Sequence, residues 1–174
     1  MDLHLRRIFR DDVITRKRKE QEMGYRSQVA YTIRFTASPS RQEAERGEFP
    51  SDQEIKLTKH DFYTFLAEAK TKFPTAIADE HLSIDEPNFA LNFLAEDVKW
   101  YEDFEDVKCH MALLQLAQEW ANEGDEKNGV AGNTRIGGIF MRIGEDTDDM
   151  TEESFGNHDW DWMQISRQII VDWA

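Results

Sequence analysis

This 174-residue chain is short of several things, and each shortage excludes a class of protein. It has one cysteine, Cys109, which rules out an internal disulfide and fits a reducing cytoplasm. No apolar run approaches the ~20 residues of a membrane span, and no apolar segment of the kind found in secretion signals follows the basic start. Bases are in deficit: 21 Lys and Arg stand against 35 Asp and Glu, a formal charge of -14 with a pI near 4.7. A nucleic-acid binder needs a basic face to displace counterions from phosphates, and docking on an anionic membrane needs one too, so neither is expected. Active-site signatures are missing as well. The histidines at 4, 60, 81, 110 and 158 have no metal-ligand spacing, and Gly137-Gly138 lacks both the Lys-Ser/Thr of a phosphate loop and the spacing of a dinucleotide fingerprint. Cys109 and His110 are adjacent on a helix, where side chains diverge by ~100°, so they make no nucleophilic pair. Cys109 reads as a small buried hydrophobe.

What is present suffices for a core. Hydrophobic residues make up 40% and aromatics 11% of a length that suits one domain. Residues 1–22 differ from the rest, with seven bases and five acids, net +2. That leaves 14 bases and 30 acids, net -16, in residues 23–174. Leu5, Ile8, Phe9 and Val13 recur at helical spacing, so the first 22 residues read as a basic, helical extension ahead of a single acidic α+β domain at 23–174. Met23 stands as an alternative biological start.

Within the body, Val29, Tyr31, Ile33 and Phe35 alternate with polar residues, the mark of a half-buried strand. Residues 36–53, rich in Ser, Pro, Gly and charge, read as a long loop or a marginal helix. Thr58 is the expected N-cap of a helix carrying Phe62, Phe65, Leu66, Ala69 and Phe73, closed by Pro74. A hairpin follows over 81–101, with its turn at Glu86-Pro87-Asn88 and a bulge near Glu96-Asp97. The long helix at about 106–122 shows Val107, Met111, Leu114 and Ala121 on one stripe, widened by Leu113, Ala117 and Trp120. Residues 123–134 form a loop. Ile139, Met141 and Ile143 mark a further strand, and Met163, Ile165, Ile169 and Val171 a last one. This order predicts an antiparallel sheet with two helices on one face, a ferredoxin-like (split βαβ) sandwich plus an extra C-terminal strand.

Three stretches carry a resemblance. They are Met23-Gly24-Tyr25-Arg26-Ser27-Gln28-Val29-Ala30-Tyr31, then Glu96-Asp97-Val98-Lys99-Trp100-Tyr101 with Asp106-Val107, and Arg142-Ile143-Gly144-Glu145-Asp146 with Asp148-Asp149. In this order they resemble a group of small, uncharacterised acidic proteins of bacteriophage and prophage genomes. The chain departs from that group by its 22-residue extension and by the insertion-like loop at 36–53. The resemblance implies phage origin and non-essential accessory use, and no particular activity; the expected compartment is the host cytoplasm, which the single cysteine fits.

Two acidic segments are the candidate binding residues. Glu145, Asp146, Asp148 and Asp149, continuing to Glu152 and Glu153, must be solvated, metal-bound or facing a basic partner, because unscreened carboxylates this close repel. The spacing fails the EF-hand pattern, and no metal or cofactor is expected. Glu96, Asp97, Glu102 and Asp103, with Glu105 and Asp106, flank Trp100 and Tyr101. Helix-dipole complementation accounts for Glu105 and Asp106 but poorly for Glu96 and Asp97. Spaced acids with Trp100 and Trp160 as aromatic anchors imitate a phosphate backbone and would occupy the basic groove of a host protein, a defence complex or a nucleic-acid-handling enzyme. The alternative is a small-ligand or nucleotide-binding protein or enzyme that uses the acidic segment with a divalent cation. Direct RNA or DNA binding rests only on the basic arm. Tyr25, Arg26 and Lys99 read either as structural partners of Glu145 or Asp146, or as the lining of a small-ligand pocket at the sheet edge. An edge-to-edge homodimer remains open.

Overall fold

Alternation in one strand organises the molecule. The computed structural model describes residues 26–37, 46–47, 49–122, 135–146 and 148–156. In β1 (Ser27–Phe35), Val29, Tyr31, Ile33 and Phe35 are each 2% exposed or less. β1 is flanked on both sides by antiparallel partners, β3 (Ala90–Val98) and β4 (Ile136–Gly144). The short β2 (Leu82–Asp85) pairs with β3, and β5 (Met150–Gly156) pairs with β4. Among the described residues the result is a five-stranded antiparallel sheet in the order β2-β3-β1-β4-β5, with three helices.

α1 (Asp52–Lys72) begins earlier than its apolar stripe suggests. Its N-cap is Ser51, whose hydroxyl accepts from the Glu54 amide at 3.3 Å, with Asp52 and Glu54 complementing the helix dipole. Thr58, expected as the cap, is buried within the helix, and its hydroxyl donates to the Glu54 carbonyl at 2.9 Å. Capping chemistry sets the start because the first turns are largely solvated: Ile55 and Leu57 are 43% and 37% exposed. Phe62, Phe65, Leu66 and Ala69 then enter the apolar cluster that holds the odd-numbered residues of β1. Pro74 ends this helix and opens the one-turn α2 (Pro74–Ile77), where its missing N–H costs nothing.

α3 (Glu105–Asn122) contributes Leu113, Leu114, Leu116, Ala117 and Ala121 to the same cluster. Phe35 sits between the two long helices, its ring 5.8 Å from Phe62, 5.5 Å from Phe65 and 6.3 Å from Trp120. The stripe is rotated from the expected one. His110 and Leu116 are buried, whereas Met111 is 36% exposed. Cys109 is partly buried against the cluster.

The hairpin and its bulge are where the sequence puts them. Ser27 faces Val98 while Val29 faces Ala95, so β3 carries one extra residue at Glu96-Asp97, and Asp97 takes a left-handed φ of 56°. One strand was not expected from the sequence. The fifth strand is Met150–Gly156, so Glu152 and Glu153 lie on a strand rather than a loop. Segment 163–171, the extension at 1–22, half of the 36–53 loop and the 123–134 loop lie outside the described residues. Ladder bonds override composition here: β4 offers its outer edge, and an edge strand exposed on both faces tolerates glutamates.

Gly138 marks a point of close contact between β4 and β5. A Cβ there would lie 2.3 Å and 2.5 Å from the ring carbons of Phe155 and 3.0 Å from the Thr32 carbonyl. Gly138→Ala should therefore lower the urea-unfolding free energy by roughly 1–3 kcal/mol, the usual cost of overpacking. The same substitution in a Phe155→Ala background should cost clearly less. Equal costs in the two backgrounds would show that the ring is not what the glycine accommodates.

Candidate functional site

Register brings together what the sequence keeps apart. Ser27 opens β1 opposite Val98 on one side and Gly144 on the other. The segment after β3 and the β4–β5 turn therefore lie at the same end of the sheet, on either side of Arg26. The Arg26 amide donates to Glu145 Oε1 at 3.1 Å, and its guanidinium donates to the Asp97 carbonyl at 2.6 Å, 3.6 Å from the Asp97 carboxylate. Next along the strand, Gln28 donates to Glu96 Oε1 at 3.0 Å. Arg26 thus joins both acidic segments, its backbone serving one and its side chain the other.

The candidate residues are placed differently. Glu96, Asp97, Glu102, Asp103, Glu145, Asp146 and Asp148 are exposed at this end. Among them Glu102, Asp103 and Asp148 form no ion pair among the described residues. Asp149 is committed to structure, accepting from Arg142 at 2.6 Å within the β4–β5 turn. Glu152 and Glu153 lie farther along β5, opposite Met141 and Phe140, and extend the acidic surface along the sheet edge. Trp100 is half-buried, its ring 5.7 Å from Phe93, 5.6 Å from His110 and 6.2 Å from Phe140, so much of its surface is taken by the core. Trp160 and Tyr25 lie outside the described residues. At the start of α3, Glu105 and Asp106 act as first-turn acids, and Glu105 also pairs with Lys108 at 2.7 Å.

Beneath this acidic end is a pocket of about 600 Å³, which Arg26 and Lys99 line together with Trp100, Phe104, Asp106 and His110. His110 is the residue that sequence reasoning passed over. It is 2% exposed, with Nδ1 2.7 Å from the Tyr31 hydroxyl and Nε2 3.2 Å from Asp79 Oδ2. Burial, then the Asp79 carboxylate and Cys109, hold the Tyr31 phenol far above its ordinary pKa. A carboxylate only accepts, so Nε2 carries the proton of the neutral ring and Nδ1 accepts from the Tyr31 hydroxyl. The Nε2 proton then goes to Asp79, whose other oxygen accepts from the His81 amide at 2.8 Å. Burial lowers the His110 pKa, and the Asp79 bond and charge only partly oppose it. A polar residue on an apolar stripe, three positions from both Val107 and Leu113, was the available signal.

Tyr31 and His110 are 1% and 2% exposed, so the relay ties the central strand, α3 and the link before β2 together inside the core. Among the described residues, no group of three or more His, Cys, Asp or Glu side chains is arranged to hold a metal ion. Comparisons with protein-family models, curated proteins and solved structures return no match for the chain.

The relay makes stability depend on pH. Unfolded, His110 takes up a proton near pH 6.5, whereas the folded site resists it, so the stabilisation is complete above that pH and is lost as pH falls below it. Urea melts between pH 7.5 and 5.5 should show this loss, with a slope of at most ~1.4 kcal/mol per pH unit from one proton. His110→Gln should be less stable at pH 7 by roughly 1–3 kcal/mol, through the buried Tyr31 hydroxyl it disturbs, and should have a shallower slope. Parallel slopes for the two proteins would assign the pH dependence elsewhere.

Proposed function

We propose that the chain is a bacteriophage accessory protein that binds a host protein through its acidic end and blocks that protein's basic groove. The supporting observation is spatial. The three blocks that carry the phage resemblance, separated by some 65 and 35 residues, meet around Arg26, and with them the two acidic segments merge into one surface. Carboxylates spread over two turns and a strand edge can meet several Lys and Arg side chains at once, as a phosphate backbone does. A body charge of -16 steers such a partner in and repels nucleic acid itself. The target is a defence complex or a nucleic-acid-handling enzyme in the host cytoplasm, a compartment that suits the lone Cys109. Among the described residues, no helix is long and apolar enough to cross a membrane.

The architecture that presents this surface is proposed to be a ferredoxin-like split βαβ sandwich. The order β2-β3-β1-β4 supports it, as does the sharing of one apolar cluster by α1, α3 and the inward residues of β1, with β5 added at the outer edge.

The reading is tested with a variant that reverses three exposed charges, Glu102→Lys, Asp103→Lys and Asp148→Lys. Wild type and variant are used in parallel to capture partners from nuclease-treated host lysate and are eluted with salt. Wild type should retain a basic protein that leaves at moderate salt, and the variant should lose it while melting within a few degrees of wild type. Retention of the same protein by the folded variant would refute an acidic docking surface.

A further inference from the structure

We propose that the pocket beside the acidic end is a receptor for a guanidinium group, carried by an arginine side chain of the docked protein or by a free guanidino compound. The inference rests on the acidic docking reading and names what the partner inserts. The floor and the rim differ in chemistry. Phe93, Val107 and His110, each 4% exposed or less, form the floor, and the half-buried Trp100 and partly exposed Phe104 form aromatic walls. Glu80, Asp97 and Asp106 are exposed around the same pocket, and Asp79 stands beside His110.

Formal charges on the lining favour a cation. Four carboxylates face Arg26 and Lys99, and Arg26 is already engaged by Asp97. Asp79 accepts from the His110 ring and from the His81 amide, and its carboxylate stands beside the floor. Aromatic faces attract cations through their quadrupole, and a carboxylate beside such a face holds the cation in place. A guanidinium suits this pairing better than an ammonium. It is flat enough to stack on an indole, gives parallel hydrogen bonds to a carboxylate, and sheds its water more easily. A volume of about 600 Å³ accommodates an arginine side chain and excludes a folded element.

The test is NMR titration of the full chain with N-acetyl-arginine methylamide, N-acetyl-lysine methylamide and inorganic phosphate, following the Trp100 indole signal assigned through Trp100→Phe. The arginine amide should shift that signal saturably and bind more tightly than the lysine amide. Glu80→Gln with Asp106→Asn should weaken it by about tenfold or more, as loss of charge-assisted contacts does, while the protein stays folded and melts only a few degrees lower for the lost first-turn acid of α3. No saturable shift by the arginine amide in the folded protein overturns the proposal, and so does preferential binding of phosphate. If the amide binds but the charge-reversed triple variant still captures its partner, the docking reading fails and the receptor stands. If capture depends on the acids while the amide is inert, the receptor fails alone. A basic peptide that binds far more tightly than the amide assigns the cation to a protein side chain, and equal affinities assign it to a free compound.

Discussion

The bonds from Tyr31 through His110 to Asp79 are the constraint on which the remaining geometry depends. Tyr31 lies midway along the central strand, opposite Phe93 on β3 and Phe140 on β4, and its ring stacks on Phe93 at 4.9 Å. A hydroxyl buried there without a partner would cost about 1–3 kcal/mol. His110 supplies the partner from α3, and its own remaining donor is met by Asp79 in the link between α2 and β2. Apolar contacts alone are indifferent to small slides of a helix over a sheet, whereas two directional bonds are not. Sheet, helix and link are thereby held in one arrangement, and the pocket floor inherits it.

Against that frame, what could be read from the sequence divides along physical lines. Period-two alternation at Val29, Tyr31, Ile33 and Phe35 is a direct image of one buried face, so β1 and the 81–101 hairpin were legible. Ser51 was not, because its role depends on a single side chain-to-amide bond that Thr58 could equally have offered. β5 was hidden for another reason: both of its faces are largely solvated, so Thr151 to Ser154 carry no apolar rhythm to betray a strand. His110 was missed because a histidine on an apolar stripe looks like an interruption until Tyr31 and Asp79 are seen to close around it. The candidate site was legible as two lists of acids and as the triad Tyr25, Arg26 and Lys99. That the lists adjoin, and that Arg26 and Lys99 share a pocket, follows from strand register between non-neighbouring segments, which no local pattern encodes.

Concentrating carboxylates at one end of a small fold has a cost, and the structure limits it. Two unit charges 4 Å apart in water repel by about 1 kcal/mol, and far more where water is excluded. The acids with the most structural duty are matched: Asp97 by Arg26, Glu105 by Lys108 and Asp149 by Arg142. The others stay on turns and rims, where screening over a Debye length of about 8 Å keeps their repulsion small. The charge left over is held in readiness at little expense to folding, and it is available to whatever cation approaches.

The extra residue at Glu96-Asp97 has a consequence in terms of phase. Before it, odd-numbered residues of β3 face the helices: Leu91, Phe93 and Ala95. After it the parity is reversed, and Val98 and Trp100 pack on the cluster instead. Every side chain that β3 and its continuation bring to the pocket is therefore set by a count rather than by an affinity. Paired as a regular strand with all its residues, the same segment would turn Lys99 and Tyr101 toward the core and Trp100 toward water, so the bulge alone separates the inside of the site from its outside.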